Sequence, residues 1–470
     1  MNSIKSLNHL NLRRDHIVKT DNLPLDLKGK LLTGHLTEFQ ADPLAFLTKL
    51  TEEYGDFVPF RLGPFQRVFL INDPNLIKEV LVTKQTSFVK SKDIQTLKTI
   101  VGEGLLTSEK DLHKRQRKLI QPSFKRSHII NYGHDMIDTT LHYLSNWQNG
   151  EHRLISEDMQ NITLGIISKT MFGTDFEKGA KIIEKSMDAV MKLGIKRMRA
   201  IVKPPLWIPT KNNRKLLAAI KHLDAVLDDI IAKRKQSSTR YEDLLGVLMN
   251  AKNEDDGTMM SDKQLKDELM TIFLAGHETT ANALTWTLYL LAKHPDVDAK
   301  FHQELSNVID SGTPTPEHFS QLKYTQSIVW ESLRLYPPAY IIGRQVDTDV
   351  TIGNYQLKKG DMVVMSQYVM HRNNAYFDQP DSFLPERFET DLLKTLPTYA
   401  FFPFGGGPRV CIGNHFALME TVLVLACIGQ RYQVNLLENH DDVKPQPLIT
   451  LRPKRGVKML ITERKGADGA

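Results

Sequence analysis

Between Ser261 and His294 the sequence carries its clearest helical signal, and no other stretch constrains the fold as strongly. Leu265, Leu269, Ile272, Phe273, Leu284, Leu288 and Leu291 recur at roughly helical spacing. Ser261 and Gln264 fit a capping box at the start, and His294-Pro295 marks the end. At 1.5 Å per residue such a helix runs on the order of 50 Å. It therefore crosses a whole molecule, and the fold has to be built around it.

The rest of the chain supports a mainly helical protein with minor sheet. Amphipathic helices precede the long one, joined by polar connectors such as Ala232–Asp243 and Ala251–Met259. Two strand-rich patches interrupt them. Asp56–Asp73 reads as two short strands around a Gly-Pro turn, and Asp349–Ser366 reads as strands around Gly353-Asn354. Asn414–Tyr432 returns to a helix, and strand-like apolar runs follow. No glycine-rich turn separates two βαβ halves, so a dinucleotide-binding fold is not expected. We expect an N-terminal arm over 1–22, one catalytic domain over 23–462 and a tail over 463–470.

The middle of the long helix breaks its own pattern with AGHETT, Ala275 to Thr280. Glycine costs about 1 kcal/mol relative to alanine in a helix interior. Thr279 can bond back to the carbonyl of Ala275, which loosens or bends a helix. Close helix packing accounts for Gly276 by itself. A small pair, a carboxylate and two hydroxyls together read better as a groove for a small polar reactant.

A second anomaly is FGGGPRVCIG, Phe404 to Gly413. The chain has two cysteines in 470 residues, too few for a disulfide scaffold. Cys411 lacks the partners of a zinc site, the first glycine of a nucleophile elbow, and the lysine of a phosphate loop. What remains is a thiolate ligand to a redox metal, with backbone amides brought close by the glycines and Arg409 supplying positive charge. Haem needs both an iron ligand and cations for its propionates. Cys427 also reads Cys-Ile-Gly, but lies among apolar helix residues, where a cysteine acts as a small buried hydrophobe.

Composition narrows the class further. Hydrophobic content of 41% and charged content of 25% are ordinary for a globular protein. A net charge of +6, with basic residues scattered among acidic ones, does not indicate nucleic acid. No apolar run reaches about 18 residues, so no transmembrane anchor is expected, and the N-terminus lacks a secretory core. A cytoplasmic monomer is expected.

FGGGPRVCIG resembles the haem-thiolate loop of the cytochrome P-450 family. AGHETT resembles that family's oxygen-binding groove, ESLR (Glu331–Arg334) its E-x-x-R, and FLPERF (Phe383–Phe388) its proline-glutamate-arginine-phenylalanine segment, all in the family's order. The resemblance covers nearly the whole chain and implies the cytochrome P-450 fold, with Cys411 as axial ligand of haem b and Phe404 and Arg409 as further cofactor contacts. Glu331 and Arg334, three apart on a helix, can pair. The resemblance adds Arg387 to them in a buried structural network. It also implies Arg117 and Arg344 at the haem propionates, with His113 at a place where many relatives carry tryptophan.

The activity implied is a monooxygenase, with Thr279 holding iron-bound oxygen and water and Glu278 linking that water to solvent protons. Leu97, Ile100, Leu106, Ile272, Phe273, Ala275, Ala339, Tyr340, Ile341 and Ile342 are expected to line a largely apolar pocket, with Tyr340 as its polar handle. A lipophilic substrate follows. A long-chain fatty acid is the first expectation and a terpenoid or steroid the next, with Arg61 and Arg67 as candidate carboxylate anchors. The chain ends soon after its last strand-like run, from which no fused reductase is expected. Electrons from NAD(P)H would come through a separate reductase and a ferredoxin or flavodoxin, docked at Lys114–Lys118. The rivals are a peroxide-dependent peroxygenase or haem-thiolate isomerase or dehydratase, and a thiolate-haem sensor or carrier.

Overall fold

The computed structural model describes residues 29–30, 32–173, 204–236, 243–252, 257–310, 312–437 and 442–464, with Val18–Lys19 and scattered positions between 186 and 197. The expected arm lies outside the described residues except for Val18–Lys19, and the expected tail except for Glu463 and Arg464. Parts of both polar connectors, 237–242 and 253–256, lie outside them too. The chain divides into two compact units.

The first unit comprises 1–91, 342–366 and 406–409 and holds both expected strand patches. Phe57–Leu62 and Gln66–Ile71 form an antiparallel hairpin with Phe57 opposite Ile71. Its turn uses Gly63 at φ +76°, a backbone conformation that glycine adopts without a Cβ penalty. Met362–Met365 runs parallel to Gln66–Ile71 and antiparallel to Ile342–Val346, and Phe88–Lys90 closes the far edge. The Gly353-Asn354 signal becomes the turn between Val350–Ile352 and Tyr355–Leu357. Val18–Lys19 pairs in parallel with Tyr355–Gln356.

The second unit is mainly helical and contains 92–341, 367–405 and 410–470. Its axis is the helix Asp262–Lys293, roughly 48 Å long. Ser261 caps it by accepting the Gln264 N–H at 3.2 Å. The helix packs against Ile155–Phe172, Lys323–Leu335 and Asn414–Arg431. Flanked on several sides, it is buried nearly all round from Leu269 to Leu291, which is why its apolar residues do not confine themselves to one stripe. The helix Lys110–Ile120, which carries His113 and Arg117, tightens into a 3-10 turn over Gln121–Phe124. Pro122 has no N–H to continue the helical ladder. Near the C-terminus, Tyr432–Leu436, Lys458–Glu463 and His152–Leu154 form one small sheet, and Pro445–Pro447 with Leu451–Pro453 forms a hairpin.

Candidate active site

The cysteine loop is shaped by backbone geometry before chemistry enters. Gly405 has φ +73° and Gly407 φ +64°. At Gly407 a Cβ would also lie 1.9 Å from the Leu81 carbonyl oxygen, so no side chain fits there. The Cys411 N–H donates to the Phe404 carbonyl at 3.0 Å and closes the loop. Cys411 is exposed, whereas Cys427 is fully buried in its helix. Although its surface is open, the Cys411 sulfur is ringed by protein, and that desolvation pushes its thiol up. The Gly413 N–H and the charge of Arg117 pull the other way.

Arg117 reaches this loop directly, with Nη1 donating to the Val410 carbonyl at 2.8 Å. His113 is buried one turn earlier on the same helix. The Phe404 ring is half-buried and meets Trp330 edge-on at 6.0 Å. In the first unit, Arg344 lies opposite Lys90 and Val363 on its sheet, and its Nη1 donates to the Gly343 carbonyl. Arg409 is half-buried.

Along the long helix the AGHETT segment divides its labour by face. Gly276 abuts Ile167 of the neighbouring helix, where an added Cβ would stand 2.7 Å from Ile167 Cδ1. Its smallness therefore serves packing. Ala275 instead is exposed in the middle of a buried helix, and Thr279 is half-buried. The Thr279 hydroxyl donates to the Ala275 carbonyl at 2.6 Å, the back-bond anticipated from spacing. His277 turns into the protein, and burial lowers it to about 4, so it is neutral. Glu278 does not open toward solvent as expected. It is 8% exposed and its Oε1 accepts the Thr450 hydroxyl at 2.6 Å.

Glu331, Arg334 and Arg387 meet. Arg334 gives Nε to Glu331 Oε2 at 2.7 Å and Nη2 to Oε1 at 2.8 Å, both residues being wholly buried. Arg387 Nε stands 3.3 Å from Glu331 Oε1. Arg334 also donates to the carbonyls of His371, Pro380 and Ser382. His371 was not foreseen. Its Nε2 accepts the Phe402 N–H at 3.0 Å, and burial together with the charges of Arg334 and Arg372 holds its imidazole well below the ordinary value.

The pocket candidates fall into two groups. Leu97, Ile100, Ile272 and Phe273 are buried in the apolar core of the second unit, and Leu106 packs against it. Ala339 is exposed and Ile341 half-buried there, while Ile342 is half-buried on its strand in the first unit. The Tyr340 hydroxyl donates to the Leu448 carbonyl at 3.0 Å. Arg67 is corrected as an anchor, because Asp361 holds it at 3.2 Å and Phe69 lies under it. Arg61, opposite Arg67 on the hairpin, is half-buried. Of the basic run, Lys114 and Lys118 are exposed, while Gln116 turns inward to the Glu103 carbonyl and Arg115 bonds Thr258.

Comparison with known proteins gives a consistent result. Residues 24–460 match the family model described as cytochrome P-450. The chain is 32% identical over 404 residues to the cyclooctat-9-en-7-ol 5-monooxygenase of Streptomyces melanosporofaciens, covering 86% of this chain and 87% of that one. It is 30% identical over 437 residues to the pentalenene oxygenase of Streptomyces avermitilis, covering 92% and 96%. Identity to the chloroplastic protein LUTEIN DEFICIENT 5 of Arabidopsis thaliana is 31% over 445 residues, covering 89% and 74%.

Proposed function

Because the chain belongs to the cytochrome P-450 family, haem-iron oxidoreductases that use O2, we propose that it hydroxylates a neutral terpenoid in the cytoplasm, with electrons from a separate ferredoxin or flavodoxin. The observation that carries the reading is the Cys411 sulfur. It is open on one side, faces the Gly413 N–H, and stands near the Arg117 guanidinium. That donor set fits a haem iron, since an N–H and a cation favour the thiolate over the thiol.

Cys411 would hold the iron, Phe404 would pack at the macrocycle, and His113, Arg117, Arg344 and Arg409 would serve the propionates. When bound, haem supplies the activation of O2 and its insertion into a C–H bond. The protein supplies the rest. Exposed Ala275 leaves room beside the helix backbone, and the Thr279 hydroxyl holds a proton next to that opening. The Glu278 carboxyl, one residue before Thr279, would pass protons toward that opening. Lys114 and Lys118 offer the charge that an acidic redox partner would meet.

Relatives named for cyclooctat-9-en-7-ol and pentalenene move a terpenoid ahead of the fatty acid first expected. The ion pair that occupies Arg67 supports the same order. The test is a titration of the haem-loaded ferric protein with cyclooctat-9-en-7-ol, pentalenene and a long-chain fatty acid, read in the Soret band. A saturable shift with either terpenoid alone is the expected result. A shift with the fatty acid alone restores the first expectation. A protein that takes up no haem, or that turns over with peroxide but not with added reductase, overturns the reading.

A further inference from the structure

The C-terminal hairpin turns through Leu448, Ile449 and Thr450, and this tip is tied to distant parts of the second unit. The Tyr340 hydroxyl donates to the Leu448 carbonyl at 3.0 Å. The Leu451 N–H donates to the Pro338 carbonyl at 2.9 Å, and the Trp286 indole N–H donates to the Leu451 carbonyl at 3.0 Å. The remaining tie is to a carboxyl. Thr450 Oγ1 donates to Glu278 Oε1 at 2.6 Å, while Asn282 Nδ2 donates to Thr450 Oγ1 at 3.0 Å.

This last chain has a direction. Glu278, Asn282 and Thr450 are all nearly buried, so water does not compete freely for them. A hydroxyl has one proton to give. With Asn282 donating to the oxygen of Thr450, that proton is committed to Glu278. Asn282 lies four residues after Glu278 on the same helix, so helix and hairpin tip together set where the carboxyl points. The same tip shares backbone and hydroxyl bonds with Pro338 and Tyr340, which flank exposed Ala339.

We propose that Thr450 is a positioning residue for the Glu278 carboxyl, with Asn282 orienting its hydroxyl. The hairpin tip then joins the Pro338–Tyr340 segment to the group that handles protons. This rests on the proton-handling role proposed above for Glu278. A merely structural hydroxyl would change stability when removed. A positioning hydroxyl changes what the carboxyl does and how it absorbs in the infrared.

The test uses Thr450→Val, Thr450→Ser, Asn282→Leu and Glu278→Gln in the full chain. The carboxylate stretching band of Glu278, identified by its loss in Glu278→Gln, is displaced in Thr450→Val and returns in Thr450→Ser. In the haem-loaded enzyme, driven by a surrogate ferredoxin and reductase without added substrate, Thr450→Val changes the ratio of peroxide to water released by about tenfold. That is the scale of one buried hydrogen bond to a carboxylate. Asn282→Leu moves both readouts in the same direction and by less, and it decides the matter if Thr450→Val does not fold. An unmoved band and an unchanged ratio in these variants, with Glu278→Gln altering the ratio, overturn this inference alone. A Glu278→Gln ratio equal to wild type overturns the role of Glu278 and this inference with it.

Discussion

Glu331 and Glu268 are both 0% exposed, yet they sit in opposite kinds of surroundings. Glu331 receives Arg334 on both oxygens, Arg387 on one, and the Leu384 N–H at 2.9 Å. Glu268, near the start of the long helix, accepts the Leu105 N–H at 2.8 Å on Oε2, and among the described residues Oε1 has no hydrogen-bond partner. Burial pushes Glu268 up to about 8; the Leu105 N–H opposes this and neighbouring Asp267 adds to it. At neutral pH it is therefore mostly a neutral acid. Burial alone thus says little about a carboxyl. Two arginines make one an ion-pair hub, and their absence makes the other a protonated clasp between the helix and the loop over 102–107.

The largest effect that would sharpen this contrast is at the hub. Arg334→Leu should cost about 3–5 kcal/mol in chemical denaturation, because it strips Glu331 of its main partner inside the protein. A cost below about 1 kcal/mol would mean the hub is no more than a surface pair. Next is the clasp. Between about 4.5, its ordinary value, and about 8, folded Glu268 keeps a proton that the unfolded chain has lost. The group therefore makes stability fall as pH rises through that window, by an amount of order a few kcal/mol, and the loss is complete above it. Asp267 on the same helix turn sharpens the fall, and Lys263 pairs with Asp267 at 2.7 Å. Denaturation at pH 5, 7 and 8.5 should show the slope in wild type and a flatter line in Glu268→Gln. Equal slopes would break the comparison. The smallest effect is at the rim: Lys263→Ala removes an exposed i,i+4 pair and should cost only about 0.3–0.5 kcal/mol.

Legibility in the sequence followed the distance over which each feature is determined. The long helix was readable because its caps and apolar residues are local, and Ser261 does cap it. The hairpins at Gly63-Pro64 and Gly353-Asn354 announce themselves within a few residues. Glu331 and Arg334 were within reach by spacing, while Arg387 came only through resemblance. Thr450 gave no sign, because it is 172 residues from Glu278 and looks like any loop threonine. Glu268 in DKQLKDEL reads as an ordinary polar helix residue. It is turned inward because the loop comes close enough that a Cβ on Gly104 would be 2.2 Å from Thr271 Oγ1. That approach is a tertiary fact without a local sequence signature. Gly276 shows the reverse error, since a residue grouped with the reactant groove serves helix packing.

Arg334 also bears on the order in which the nascent chain takes shape. Its guanidinium collects carbonyls 37, 46 and 48 residues further on, from a stretch that has little regular structure of its own. At a synthesis rate of about 5–20 residues per second, Arg334 leaves the ribosome roughly 2–10 seconds before the last of them. During that interval the helix Lys323–Leu335 carries a charge pair whose acceptors do not yet exist. The segment from His371 to Ser382 closes these bonds only after it has emerged, so the full set of Arg334 bonds cannot form before that point in synthesis.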